Sequence, residues 1–104
     1  MKRPVGRAAL EHYGREHSRC LGMAVQEFRM DRGLTLGEVA STAKVSVPWL
    51  KKLETNELHT NYSIGTLDRI ARALGLEMFD LYKRAGEMAG PPPWLKAKEA
   101  QDEK

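Results

Sequence analysis

Residues 33–54 read GLTLGEVASTAKVSVPWLKKLE, and this stretch decides the fold because it specifies two short helices joined by a turn too tight to be anything else. Thr35 is placed to cap the first helix. Its hydroxyl accepts from the free amides while Glu38, three residues on, reaches back to the Thr35 amide in a capping box. Val39, Ala40 and Ala43 line one side of that helix. Lys44-Val45-Ser46 is long enough only for a turn, and Ser46 is a second N-cap, so the spacing predicts a new helix over Val47 to Thr55. Pro48 falls in the first turn, where its missing amide is not needed; two residues later it would break the helix.

At about 100° per residue, Leu53 lies roughly 60° from Leu50, so these two share an inward face with Val45 beneath them. Pro48, Lys51, Lys52 and Thr55 gather on the opposite side. One face of the second helix is therefore core and the other cationic.

Working outward, apolar residues recur at helical spacing throughout, and no stretch alternates for long enough to predict a strand. The chain is expected to be all-α. A first helix is predicted over Ser18 to Asp31, with Leu21, Val25 and Phe28 inward and Gly33 as a left-handed C-cap. Asn56 is placed to end the third helix, and Glu57 to Tyr62 to form a polar loop. Ser63 caps a fourth helix that buries Leu67, Ile70, Ala71 and Leu74 and stops at Gly75. A fifth is predicted over Leu76 to Arg84, ended by Gly86. Before this core, residues 1–17 form a basic extension with a short helix over Arg7 to Tyr13, interrupted by Gly14. After it, residues 87–104 hold Pro91-Pro92-Pro93 and a polar tail from Trp94 onward. The expected domain is thus 18–86.

The 104 residues suffice for one small core. No apolar run approaches a membrane span, and the start, Met1-Lys2-Arg3-Pro4, lacks the apolar stretch of a signal peptide, so a cytoplasmic protein is expected. The single Cys20 excludes an internal disulfide. The net charge is +3, and residues 1–34 carry all of the excess, with seven Lys/Arg against four Asp/Glu. A pI near 9.2 suits a polyanionic partner.

From about Arg19 to Lys83 the sequence resembles the lambda-repressor-like, XRE-type (Cro/C1-type) helix-turn-helix family. LGMAVQEFRMDRGLTLGEVA is similar to that family's first two helices, KVSVPWLKKLE to its turn and recognition helix, and SIGTLDRIARALGL to its fourth. The resemblance implies a compact five-helix bundle and a transcriptional regulator, commonly a repressor, bound as a homodimer to a two-fold-related site on double-stranded DNA. It also implies that Arg29 pairs with Glu54; the wheel places Glu54 beside Leu50, hence partly buried and in need of a partner. Val47, Pro48, Lys51 and Lys52 match positions that meet base edges or phosphates. Thr35, Leu36, Lys44, Ser46 and Trp49 complete the candidate DNA-contacting set. Leu36 stands where the family commonly has glutamine, and Lys44 where it frequently has glycine in the turn. With no Asn, Gln or Arg on this surface, direct readout is left to lysine on guanine acceptors and to Val47 or Pro48 against thymine methyls. Specificity is therefore expected either to be modest or to depend on DNA shape.

Trp49 lies on the flank of the third helix, where packing over the end of the second is favoured over stacking on the DNA backbone. Lys2, Arg3 and Arg7 are candidates for a minor-groove arm, against the simpler reading of a solvated tail. Met78, Phe79, Tyr82 and Trp94 are candidates for the dimer interface, extended by Leu95. His12, His17 and Cys20 offer no second ligand pair of the kind a closed zinc site needs, so no metal is expected. His12, His17 and His59 have no nucleophile and orienting acid at recognisable spacing, and no glycine-rich phosphate loop occurs. No enzyme, cofactor, membrane or small-molecule ligand is therefore expected. The rival reading is a protein-interaction or adaptor module, the same bundle with its basic face solvated and Trp49, Tyr62 and Trp94 serving partners.

Overall fold

The computed structural model describes residues 6–58 and 62–91, and among them the chain forms five helices. These are α1 (Arg7–Asp31), α2 (Leu36–Ala43), α3 (Val47–Glu54), α4 (Ile64–Ala73) and α5 (Met78–Ala89). Local chemistry places their ends. Thr35 Oγ1 accepts from the Glu38 amide at 3.1 Å while Glu38 Oε1 accepts from the Thr35 amide at 3.1 Å, so the capping box is closed. Ser46 caps α3 through the Trp49 amide and Ser63 caps α4 through that of Thr66. Gly33, Asn56 and Gly75 take positive φ just beyond helix ends, where a left-handed residue lets the chain turn away.

One core joins all five helices. Val25 and Cys20 of α1, Val39 of α2, Leu50 of α3, Leu67 and Ile70 of α4 with Leu74 just beyond it, and Leu81 of α5 are its largest fully buried side chains. α5 packs on α1, α2 on α4, and α3 is held between α1 and α2. No helix among the described residues is long and apolar enough to cross a membrane.

Two helices are longer than the sequence suggests. The segments expected over Arg7 to Tyr13 and from Ser18 are a single helix of 25 residues that passes through Gly14. A mid-helix glycine costs only about 1 kcal/mol relative to alanine, and packing along the rest of α1 outweighs it. Arg7 accordingly stands on a helix, paired with Glu11 at 2.9 Å, and not on an extended arm; Lys2 and Arg3 lie outside the described residues. Likewise Gly86 does not end α5, which continues to Ala89 because Ala85 and Met88 still have α1 and the core to pack against. Glu77 and Asp80 form the capping box that starts it.

Two ion pairs fix helices to α1. Arg29 donates to Glu54 through Nε (2.8 Å) and Nη2 (2.9 Å) and to the Leu34 carbonyl through Nη1 (2.9 Å), tying α1 to the end of α3 and to the loop before α2. Arg84 grips Glu27 with two bonds of 2.9 and 3.0 Å, tying α5 to α1. The Arg84 hydrogen bonds hold the Glu27 carboxyl below the usual carboxylate range.

Candidate nucleic-acid interface

The turn between α2 and α3 is built from both sides. Lys44 adopts a left-handed conformation (φ 60°, ψ 43°), which lets the Val45 amide reach back to the Ala40 carbonyl at 3.0 Å. From the neighbouring helix, Arg69 Nε donates to the Ala43 carbonyl at 2.9 Å, satisfying the last carbonyl of α2. Arg69 gave no signal in the sequence, because its partner is a backbone atom 26 residues away. A glycine adopts the left-handed conformation without the Cβ clash that Lys44 bears. Lys44→Gly should therefore raise stability by about 0.5–1 kcal/mol, measured by urea unfolding; a loss would mean that the lysine side chain contributes a contact at the turn.

The outer face of α3 is open. Val47 is 42% exposed, and Pro48, Lys51 and Lys52 are exposed beside it, while Leu50 and Leu53 are buried on the reverse. Neither lysine has a carboxylate partner among the described residues. Both charges are free for an external anion. At the start of the helix, Ser46 and the first amides present the positive end of the α3 dipole to solvent. Thr35 and Lys44 are exposed on the same two-helix unit. Leu36 and Trp49 are placed differently: both are half-buried against the core. The Trp49 ring meets Tyr62 edge-on at 6.0 Å, so it packs within the bundle, and burial pushes the Tyr62 phenol up from its usual pKa.

What holds this face in position is the contact beneath it. Gly22 of α1 is buried against the backbone of Leu53, so α1 and the end of α3 touch main chain to main chain. Glu54, one residue on, is only 5% exposed and is anchored by Arg29. The eight-residue helix is thus clamped at its C-terminal end and capped at its start. The clamp fixes the direction in which Lys51 and Lys52 point.

This geometry is that of a helix-turn-helix with an exposed cationic second helix, and residues 25–86 match the model of the Cro/C1-type HTH DNA-binding domain. The chain belongs to that family. The five-helix bundle suggested by the resemblance is the fold observed. The relatives are of the same kind. Over 57 residues the chain is 40% identical to the HTH-type transcriptional regulator DdrOP3 of Deinococcus deserti, covering 55% of this chain and 43% of that protein. It is 30% identical over 67 residues to the HTH-type transcriptional regulator SinR of Bacillus licheniformis, covering 64% and 60% respectively. The match therefore spans roughly half the length of these curated relatives. Among solved structures, the clp gene regulator ClgR of Corynebacterium glutamicum superposes with a TM-score of 0.65 at 31% identity, over 71% of this chain and 94% of the other. A second ClgR structure gives 0.65 at 29% identity, over 82% and 84%. The Cro/C1-type chain accordingly carries a DNA-binding domain of the kind found in transcriptional regulators.

Three of the candidate dimer residues, Met78, Phe79 and Tyr82, fall on α5. Phe79 is 70% exposed and Tyr82 39%, while Met78 is half-buried against the core. Trp94 lies outside the described residues.

Proposed function

We propose that the protein is a sequence-specific transcriptional regulator, a repressor that binds a two-fold-related operator as a homodimer. The observation that carries this reading is the exposed Val47, Pro48, Lys51 and Lys52 face of α3, free of acidic partners and fixed in direction by the α1 clamp. The names of the relatives at 30–40% identity support it. The exposed Phe79 and Tyr82 supply an apolar surface for the partner, and a two-fold pair doubles the small footprint that one such module offers DNA.

Within this reading the two lysines have different tasks. They point about 100° apart, so one addresses a guanine edge in the major groove while the other faces the groove wall. Lys52, one turn beyond Pro48, is assigned to the base and Lys51 to phosphate. Ser46 and the first amides of α3 meet a second phosphate at the positive helix end.

Selection of bound sites from random DNA, followed by titration of variants on the selected site, tests the assignment. Lys52→Ala should cost about 1–3 kcal/mol and relax one operator position, whereas Lys51→Ala should weaken all sequences alike and lower the salt slope by about one unit. If the folded double variant binds its selected DNA as tightly as the parent, α3 is not the recognition helix. The adaptor reading would then take its place.

A further inference from the structure

Only Lys44, Val45 and Ser46 lie between α2 and α3, so the backbone angles of Lys44 set where the second helix starts. Lys44 stands at φ 60° and ψ 43°, in the left-handed region that a residue with a Cβ disfavours. The amides of Lys44 and Val45 reach back to the Ser41 and Ala40 carbonyls at 3.3 and 3.0 Å. The Ala43 carbonyl belongs to the peptide plane that ends on the Lys44 nitrogen, and turning that plane turns Lys44 out of its conformation. Arg69 of α4 holds this oxygen through Nε at 2.9 Å. Its Nη2 donates to Thr66 Oγ1 at 3.3 Å, and Thr66 Oγ1 meets Oγ of Ser63, the cap of α4, at 3.0 Å. The guanidinium thus joins the first turn of α4 to the last peptide of α2.

We propose that Arg69 is a positioning residue for DNA recognition, one that keeps Lys44 left-handed and so fixes the start of α3 against α4. The proposal rests on the reading of α3 as the recognition helix and concerns how that helix is aimed. Arg69 has no carboxylate partner among the described residues. Its charge acts on the Ala43 carbonyl, where a charged donor makes a stronger bond than a neutral one. It also stands at the negative end of the α2 dipole, where a cation is favoured.

The two ends of α3 are then secured by different helices. Arg29 of α1 clamps the end through Glu54, and Arg69 of α4 holds the start through the turn. At 1.5 Å per residue, a tilt of about 10° around the clamped end shifts Val47 by roughly 2 Å but Lys52 by less than about 1 Å. Such a shift lifts Val47 and Pro48 from a base edge, whereas the long lysine side chains can follow their partners. Loss of Arg69 should therefore damage sequence preference more than overall attraction to DNA. Nη1 of Arg69 makes no bond among the described residues, so a direct phosphate contact is the rival role, and the salt dependence of binding separates the two.

Arg69→Met in the full chain, which keeps an unbranched stem without donor or charge, tests the inference. The Val45 amide should exchange about tenfold faster relative to that of Val25 in the buried part of α1, whose exchange reports opening of the whole fold. Preference for the selected site over random-sequence DNA should fall about tenfold or more, with the salt slope unchanged. Lys44→Gly added to Arg69→Met should restore most of that preference, because glycine takes the left-handed conformation unaided. Thr66→Val leaves the Arg69 charge in place and should give the same changes in smaller measure, which covers an Arg69→Met chain that does not fold. A salt slope lowered by about one unit, with all sequences weakened alike, would make Arg69 a phosphate contact and overturn the proposal. A Val45 amide that exchanges as in the parent would overturn it too, as would a preference kept despite faster exchange. If the Lys51→Ala, Lys52→Ala protein binds its selected DNA as tightly as the parent, the reading of α3 fails and this proposal with it, whatever the Val45 amide shows.

Discussion

Replacing Gly22 by alanine should destabilise the protein by about 3 kcal/mol or more, at the upper end of what overpacking costs. A Cβ on Gly22 would fall within the radius of the Leu53 carbonyl oxygen and 3.0 Å from its carbon. Both are main-chain atoms at the end of α3, so no side chain can rotate away and the two helices must separate. Separation also pulls on Glu54, whose carboxylate depends on Arg29 of the same helix α1. The sign is informative because alanine is otherwise the better helix residue. At Gly86 of α5, where nothing lies within 4 Å, the same substitution should stabilise by up to about 1 kcal/mol. Urea unfolding of the two variants gives the comparison directly. If Gly22→Ala costs less than Gly86→Ala gains, α1 and α3 do not meet main chain to main chain.

Arg29→Ala should cost about 3–5 kcal/mol, because it removes one member of a buried pair and strands the other. The side chains of Arg29 and Glu54 are 14% and 2% exposed, the pairing is bidentate, and the third Arg29 bond, to the Leu34 carbonyl, is lost as well. The penalty belongs chiefly to the abandoned Glu54 carboxylate. Replacing both residues with apolar ones of similar size, Arg29→Met with Glu54→Leu, should therefore recover most of the loss. The exposed Arg7–Glu11 pair, at 92% and 52% side-chain exposure, provides the control: Arg7→Ala should change stability by less than about 1 kcal/mol. Thermal or chemical unfolding of the four proteins would separate these cases, and a small loss for Arg29→Ala would show that water reaches Glu54. Since Glu54 ends α3, DNA affinity should fall with Arg29→Ala beyond the loss of folded protein.

The sequence by itself determined the elements whose signals are local. Thr35 with Glu38, Ser46 and Ser63 announce the starts of α2, α3 and α4, since a cap and its target lie within four residues, and the apolar spacing of Leu50 with Leu53 sets which face of α3 turns inward. Lys51 and Lys52 were legible as an outward face for the same reason. Tertiary packing alone decided how far α1 and α5 extend, because Gly14 and Gly86 are helix-weakening only until the surrounding contacts outweigh about 1 kcal/mol each. It also decided which glycine matters: Gly14, Gly22 and Gly86 look alike along the chain, and only the backbone of Leu53 singles out Gly22. The Arg84–Glu27 pair and the Arg69 bond to Ala43 span 57 and 26 residues. Nothing in local spacing announces such contacts, since they exist only once the core has brought α4 and α5 against the helices they hold.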